Sequence, residues 1–217
     1  MRKLYILLFV SVFMFGCKDD NEVKVTIKDS ANLTLTLTQK GTPLSGIYFK
    51  VISKANDLII KEGITDEKGV IDFEQLKEGD YWVSAETYLE EERLKYEFKR
   101  IVQVIADQNK DLVWDTEDFT VNMEFYTLNS DENASVPNQK ILIYQNNEVN
   151  ELIYDFPEKL EQGITVTTDE NGRANIDLPE SVYFSVYWYE NEENYIKISG
   201  NEQLITGEDE YLSIDLY

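Results

Sequence analysis

Thr65-Asp-Glu-Lys-Gly69 is the stretch that decides the fold, because a close copy, Thr168-Asp-Glu-Asn-Gly172, follows 103 residues later. In each copy the aspartate is placed to cap a tight turn, and the glycine supplies the positive φ that lets two strands pair. Other residues recur 100 to 102 positions later, namely Leu76, Tyr81, Gln103 and Leu112, which return as Leu178, Tyr183, Gln203 and Leu212. A repeat at this spacing predicts two homologous units rather than a solenoid.

Apolar and polar residues alternate on both sides of the first turn. Leu33-Thr-Leu-Thr-Leu-Thr38 alternates strictly over six residues, which is typical of a half-buried strand. Clusters of Gly, Pro, Asp or Ser bound further apolar runs, such as Ile47 to Ile52 and Tyr81 to Ala85. Tyr88 to Lys99 has a helical composition, but we interpret it as an extended, charged hairpin arm because it leads directly into an apolar strand. The pattern predicts an all-β chain.

Both units show one order of motifs: a strand, a turn, an apolar strand, Thr-Asp-Glu-x-Gly, another apolar strand, and then a leucine five residues before a tyrosine. This order, clearest over residues 33–86, resembles the carboxypeptidase regulatory-like and collagen-adhesin B-type domains, which are prealbumin-like. The resemblance implies two tandem prealbumin-like (transthyretin-like, Ig-like) β-sandwiches, residues 31–116 and 117–217. We expect them to meet at the acidic stretch Asp115 to Asp118, which is too short for free swivelling.

The first 16 residues have the layout of a secretory signal peptide. Arg2 and Lys3 precede 12 apolar or weakly polar residues, Leu4 to Phe15, a run too short to span a bilayer. Gly16 then stands before Cys17, the one cysteine of the chain, and this pair resembles the lipobox of bacterial lipoproteins. The alternatives are an ordinary signal peptide, or an uncleaved anchor with a buried cysteine.

The residues after the cysteine indicate where the protein is exported. Lys18, Asp19 and Asp20 resemble the surface-export signal of lipoproteins in Bacteroidetes, a lysine followed by two acids. The resemblance implies a lipid on Cys17 that anchors the protein to the outer membrane, facing the cell surface. Residues 17–30 would then be a tether, in which alternation from Val23 to Ile27 predicts an extra edge strand.

Composition excludes several classes of function. The net charge is −22, from 42 acidic and 20 basic residues, which argues against nucleic acid and anionic lipid headgroups as partners. The chain has no histidine, the commonest general base and metal ligand. We interpret the acidic runs as solvated turns rather than catalytic pairs, and the two Asp-Glu-x-Gly turns as caps rather than calcium sites. The sequence therefore predicts a non-catalytic protein without a cofactor; a carboxylate-dependent hydrolase is a remote alternative.

The candidate binding residues lie in the aromatic run Tyr183-Phe-Ser-Val-Tyr-Trp-Tyr189. In one register Tyr183, Ser185 and Tyr187 face the core; in the other Phe184, Val186 and Trp188 do, and the tyrosines form an outer row. A slip of one residue exchanges the faces, so both registers stay open. An exposed row of Tyr183, Tyr187, Trp188 or Tyr189 would suit stacking on sugars or a flat protein contact.

Two functions follow from these features. The first is a surface lipoprotein that binds or presents a ligand, with a glycan or a surface protein complex as its partner. The alternative is a structural subunit of a fimbria or other surface assembly, for which an exchangeable edge strand is expected.

Overall fold

The N-terminal half of the chain forms eight strands. The structure, a computed structural model, describes residues 29–146, 163–181, 183–191, 194–203 and 210–216. Residues 30–115 make up the N-terminal half. Its strands are β1 (Ser30–Gln39), β2 (Thr42–Pro43), β3 (Tyr48–Ser53), β4 (Ile59–Ile64), β5 (Val70–Lys77), β6 (Gly79–Leu89), β7 (Leu94–Val104) and β8 (Lys110–Asp115). A single 3-10 turn, Thr116–Phe119, leads out of this half.

The C-terminal half, residues 120–216, also contributes eight strands to the described part of the chain. They are β9 (Thr120–Asn129), β10 (Ala134–Ser135), β11 (Lys140–Asn146), β12 (Ile164–Thr167), β13 (Arg173–Pro179), β14 (Tyr183–Asn191), β15 (Asn194–Gln203) and β16 (Glu210–Asp215). The described residues contain no α-helix, and in them no helix is long and apolar enough to cross a membrane. The prediction of an all-β chain is confirmed.

The two halves have the same strand order. In each, the first strand lies between an antiparallel and a parallel neighbour: β1 between β5 and β8, and β9 between β13 and β16. The second sheet runs β4-β3-β6-β7 in one half and β12-β11-β14-β15 in the other. The repeat in the sequence is therefore a repeat of topology. The strands β6 and β7 pair from Gly79 to Leu89, so the predicted hairpin arm is confirmed.

The first repeated turn is closed by its aspartate and its glycine. One carboxylate oxygen of Asp66 accepts the backbone N–H groups of Lys68 at 2.9 Å and Val70 at 2.8 Å. Gly69 has φ +72°, and its carbonyl accepts the N–H of Leu37 in β1 at 2.8 Å. A Cβ on Gly69 would lie 2.3 Å from the carbonyl oxygen of Leu37. The turn thus needs a glycine both for its conformation and for its close approach to β1.

The second turn repeats these contacts. A carboxylate oxygen of Asp169 accepts the N–H groups of Asn171 and Arg173 at 2.8 and 2.9 Å, and Gly172 has φ +72°. The carbonyl of Gly172 accepts the N–H of Thr127 in β9 at 2.8 Å. Hydrogen bonds with these amides lower the pKa of Asp169 despite a small opposing effect of burial. In both turns, one carboxylate oxygen caps the backbone.

The core follows the period-two pattern of the strands. Leu33, Leu35 and Leu37 of β1 are fully buried. Phe125 of β9, which corresponds to Leu35, is fully buried as well. Most of the buried apolar side chains of both halves belong to one continuous cluster. Burial of this kind contributes about 25 cal/mol per Å² of apolar surface and is the main force holding the sheets together.

Several predicted features lie outside the described residues. They are the signal peptide of residues 1–16, the lipidation site Cys17, the export signal Lys18, Asp19 and Asp20, and almost all of the tether of residues 17–30. The segment between β11 and β12, residues 147–162, lies outside them as well.

Candidate functional site at the junction of the two halves

The aromatic run of β14 adopts the second of its two predicted registers. Phe184 and Val186 are 2% exposed and belong to the core cluster, and Trp188 packs against that cluster. The indole N–H of Trp188 donates to the side-chain oxygen of Gln139 at 2.9 Å. Trp188 is therefore a core residue with a satisfied polar group rather than part of an exposed aromatic row.

The opposite face of β14 corrects the predicted binding row. Tyr187, at its centre, is only 1% exposed, while Tyr183 and Tyr189 are half-buried. Leu142, directly opposite Tyr187 in β11, is also 1% exposed. The reason is that β11 carries three consecutive apolar residues, so this sheet is buried on both faces, and no outer row of tyrosines can form.

The junction between the halves is the better candidate for a functional site, and Asp115 begins it. Its carboxylate accepts the hydroxyl of Thr38 at 2.5 Å and the N–H groups of Lys40 at 3.0 Å and Gly41 at 2.9 Å. It also accepts the N–H of Glu117 at 3.1 Å, as the N-cap of the 3-10 turn. One side chain thus ties the β1–β2 turn to the end of β8 and to the start of the connection.

These contacts lower the pKa of the Asp115 carboxyl. Partial burial raises the pKa of this carboxyl, but hydrogen bonds from Thr38 and from the amides of Gly41, Glu117 and Lys40 outweigh burial and lower the pKa to about 2. Because the folded-state pKa lies below that of an unfolded aspartate, about 3.9, the charge stabilises the fold above that value. The stabilisation is lost as the pH falls through the folded-state value.

Replacing Asp115 with Asn tests this electrostatic role. At neutral pH we expect the thermal midpoint to fall by about 2–4 °C, because the amide accepts the backbone bonds more weakly than a carboxylate does. Between about pH 4 and pH 2 the wild-type protein should lose this advantage, so the two melting curves should converge. Thermal melting followed by circular dichroism measures both effects; an unchanged difference between the proteins across this range would contradict the assignment.

Phe119 forms the apolar centre of the junction. It is 1% exposed and makes edge contacts with Phe98 at 5.0 Å and Trp114 at 5.2 Å between ring centroids. The guanidinium carbon of Arg100 lies 4.1 Å from the centroid of the same ring. Phe98, Arg100 and Trp114 belong to the N-terminal half, so the connecting residue is anchored in the core of that half.

An ion pair continues the junction into the C-terminal half. Arg100 donates to the carboxylate of Glu180, which is 4% exposed, and to the backbone carbonyl of Asp118 at 2.7 Å. The backbone N–H of Glu180 donates to the carbonyl of Phe119 at 2.9 Å. A buried carboxylate requires such a partner, so removing either charge would leave the other unpaired at considerable cost.

A second pair of contacts holds the far side of the junction. The side-chain amide of Gln145 in β11 accepts the N–H of Lys95 in β7 at 2.6 Å and donates to its carbonyl at 2.7 Å. The side-chain amide thereby forms with Lys95 the two hydrogen bonds that the backbone of a neighbouring strand would otherwise form. A groove of about 270 Å³ lies along the junction, with Leu94 of one half and Ile164 and Ile176 of the other in its walls.

Glu92, one of the three acids that line this groove, is engaged in structural contacts. Glu92 accepts the phenol of Tyr96 at 2.6 Å and pairs with Lys40 at 3.1 Å. Burial raises the pKa of Glu92, but hydrogen bonds from Tyr96, Gln39 and Lys40 leave the pKa below its ordinary value. The described residues contain no cluster of acids that could hold a metal ion. The described side chains of the junction join the two halves through hydrogen bonds, an ion pair and ring contacts.

Sequence reasoning missed the pair of Arg100 and Glu180, although one signal pointed to it. Leu94, Tyr96, Phe98, Val102 and Val104 are the buried residues of β7, and Arg100 shares their phase. A charged residue on the inward phase of a strand requires a partner. That partner is 80 residues away, and nothing in the repeat identifies it, because the equivalent acid of the N-terminal half, Glu78, is exposed.

The strand order and the shared core define an all-β protein of prealbumin-like fold. Residues 30–118 match the family model of the SpaA domain, described as a prealbumin-like fold domain. No curated protein matches the sequence.

Several solved structures are similar to the chain. The Bacillus anthracis TIE protein is 18% identical with a TM-score of 0.33, over 86% of this chain and 34% of that one. A streptococcal ancillary pilin is 16% identical with a TM-score of 0.34, over 88% and 62%. The minor pilin of Streptococcus agalactiae is 13% identical with a TM-score of 0.33, over 86% and 94%. The chain thus spans about a third of the first of these proteins and under two thirds of the second.

Proposed function

We propose that the protein is a structural subunit of a bacterial surface assembly, in which residues 31–116 and 117–217 are two prealbumin-like units held as one rigid strut. The observation that carries this proposal is the buried junction, where Phe119, Arg100 and Glu180 join the two halves through core packing and an ion pair. A binding module on a flexible tether has no need of such a joint, whereas a subunit that transmits force along an assembly does.

The burial of the aromatic run also supports a structural role. Capture of a glycan through Tyr183, Tyr187, Trp188 and Tyr189 required an exposed row, but Tyr187 is buried and Trp188 faces the core. Asp115 and Glu92 of the junction are engaged in a cap and an ion pair, which supports a role without catalysis. A structural role uses the features that the chain does present.

The N-terminal resemblance supplies the rest of the proposal. Residues 1–16 are removed as a signal peptide, Cys17 carries the lipid, and Lys18, Asp19 and Asp20 direct the protein to the outer face of the outer membrane, as in lipoproteins of Bacteroidetes. In this arrangement the tether leads from the membrane directly into β1.

Immunogold electron microscopy of the producing cells tests the proposal. With an antibody raised against residues 30–118, we expect gold particles along extended structures outside the cell. Deleting the gene should remove these structures, and restoring it on a plasmid should return them. Gold confined to the cell envelope, or extended structures that survive the deletion, would contradict a structural role.

A further inference from the structure

The hairpin of β9 and β10 carries a sequence pattern that the structural role does not use. Asn133-Ala-Ser135 has the form Asn-x-Ser/Thr, with a residue other than proline in the middle, which is the acceptor pattern for N-linked glycans in exported proteins. The sequence contains one other copy of this pattern, Asn32-Leu-Thr34 in β1. We call each copy a sequon. Because a three-residue pattern often arises by chance, the place of each sequon in the fold decides whether it can be used.

The Asn133 sequon is open to solvent over its whole length. Every residue from Asp131 to Ser135 is exposed, and Asn133 has φ +51°, a left-handed conformation typical of turns. The strand β10 consists of Ala134 and Ser135 alone and pairs on one side, with β9. An enzyme can therefore reach the amide of Asn133 and the hydroxyl of Ser135 without opening a sheet.

The Asn32 sequon, in contrast, is held inside a sheet. Its middle residue, Leu33, is fully buried in the core, and Thr34 is half-buried. Thr34 pairs with Asp72 of β5 on one side and with Asp111 of β8 on the other. An enzyme that binds its acceptor as a free segment could reach this sequon only by separating β1 from both of its neighbours, which requires partial unfolding.

The residues before the two asparagines differ as well. Asp131 and Glu132 directly precede Asn133, and both are exposed, whereas Ser30 and Ala31 precede Asn32. The two carboxylates offer a transferase with basic side chains additional charge-assisted contacts beside the acceptor amide. Accessibility and charge therefore both favour Asn133 over Asn32.

The exposed sequon lies at the end of the C-terminal half that faces away from the junction. The strand β9 begins at Thr120, beside the junction, and ends ten residues later at Asn129. A strand of this length spans about 33 Å. A glycan on Asn133 would therefore leave the contacts of Phe119 undisturbed and would add a bulky, hydrated group at the distal end of the strut.

We propose that Asn133 is the acceptor of an N-linked glycan and that Asn32 is not modified. The inference rests on the export that is part of the proposed function. The donor is an oligosaccharide carried on a polyprenyl diphosphate. The side-chain nitrogen Nδ2 of Asn133 forms a bond with the anomeric carbon of the first sugar, the bond from that carbon to the diphosphate oxygen breaks, and polyprenyl diphosphate leaves. One amide proton passes to a base of the transferase.

Peptide mass spectrometry of the protein isolated from the producing cells tests the proposal. Trypsin cleaves after lysine and arginine and so separates the two sequons into residues 29–40 and residues 111–140. We expect residues 111–140 to carry the additional mass of sugar units, and electron-transfer fragmentation should place this mass on Asn133. Residues 29–40 should have the mass of their amino acids alone.

Variants of the sequon separate recognition of the acceptor from folding. Ser135→Ala removes the hydroxyl but keeps Asn133, so the glycan should be lost, whereas Ser135→Thr keeps a hydroxyl and should retain the glycan. Asn133→Gln should lose the glycan, and Asn32→Gln should leave it unchanged. Unmodified residues 111–140 in the wild type, a glycan located on a residue other than Asn133, or a glycan that survives Ser135→Ala would overturn the proposal.

The glycan site and the structural role can fail separately. If residues 111–140 are unmodified while gold particles follow extended structures outside the cell, the glycan site is wrong and the structural role stands. If Asn133 carries the glycan while gold stays on the cell envelope, the structural role is wrong and the glycan site stands.

Discussion

Replacing Gly69 with alanine is expected to lower the free energy of unfolding by about 2–5 kcal/mol. The left-handed conformation at φ +72° costs a residue with a side chain about 1–2 kcal/mol. The new methyl group would in addition lie 2.3 Å from the carbonyl oxygen of Leu37 and force β1 and the turn apart, at about 1–3 kcal/mol. Unfolding in urea, followed by tryptophan fluorescence, measures the loss.

Gly41 provides the matched control for this prediction. It has φ +78°, but a Cβ there meets nothing within 4 Å. Gly41→Ala should therefore show only the conformational cost, about 1–2 kcal/mol. Gly172→Ala should resemble Gly69→Ala, because its Cβ would lie 2.5 Å from the carbonyl oxygen of Thr127. If Gly69→Ala and Gly41→Ala destabilise equally, the close approach of the turn to β1 plays no part in stability.

Replacing Phe119 with alanine is expected to cost about 3–5 kcal/mol and to uncouple the two halves. The cost arises because the ring is fully buried between Phe98, Trp114 and the guanidinium of Arg100, so its loss leaves a cavity. Calorimetry should show one transition for the wild type and two for the variant, since the halves no longer unfold together.

An exposed aromatic residue gives the comparison for Phe119. Tyr88 is 46% exposed, and Tyr88→Ala should change stability by about 0.5 kcal/mol or less, with a single transition. A loss below about 1 kcal/mol for Phe119→Ala, with one transition retained, would mean that the junction is held by other contacts.

The repeated turns could be predicted from the sequence because their chemistry is local. Asp66 and Gly69 bond within four residues of each other, and the type of turn specifies both residue types. The alternation of β1 could be predicted as well, because Leu33, Leu35 and Leu37 face the core. The threonines between them lie on the opposite face of the strand and are only partly buried.

The register of β14 could not be predicted, because the period-two argument assumes that one face of a sheet meets water. Four consecutive residues are buried: Phe184, Ser185, Val186 and Tyr187. Both alternating sets of side chains are therefore shielded from water, and neither set has to be polar. The run Ile141-Leu-Ile143 in the partner strand was the sign that both faces are covered, but a sequence does not state which strands are partners.

The contacts of the junction could not be predicted from the sequence. The acidic stretch from Asp115 to Asp118 was expected as the boundary between the two units, and β8 ends at Asp115. Its contacts join residues far apart in the sequence, such as the backbone N–H of Lys40 with the Asp115 carboxylate and the Arg100 guanidinium with Glu180. Such pairs follow from the packing of the two halves and have no local signature.

NMR relaxation of the backbone amides tests most directly whether the two halves form one rigid strut. In the dilute chain from Lys18 onward, we predict that amides of β1 to β8 and of β9 to β16 report the same rotational correlation time, as expected for one body that tumbles as a whole. The Phe119→Ala variant should split this value into two shorter ones. Two different, shorter correlation times in the wild-type protein itself would contradict the rigid junction on which the structural role depends.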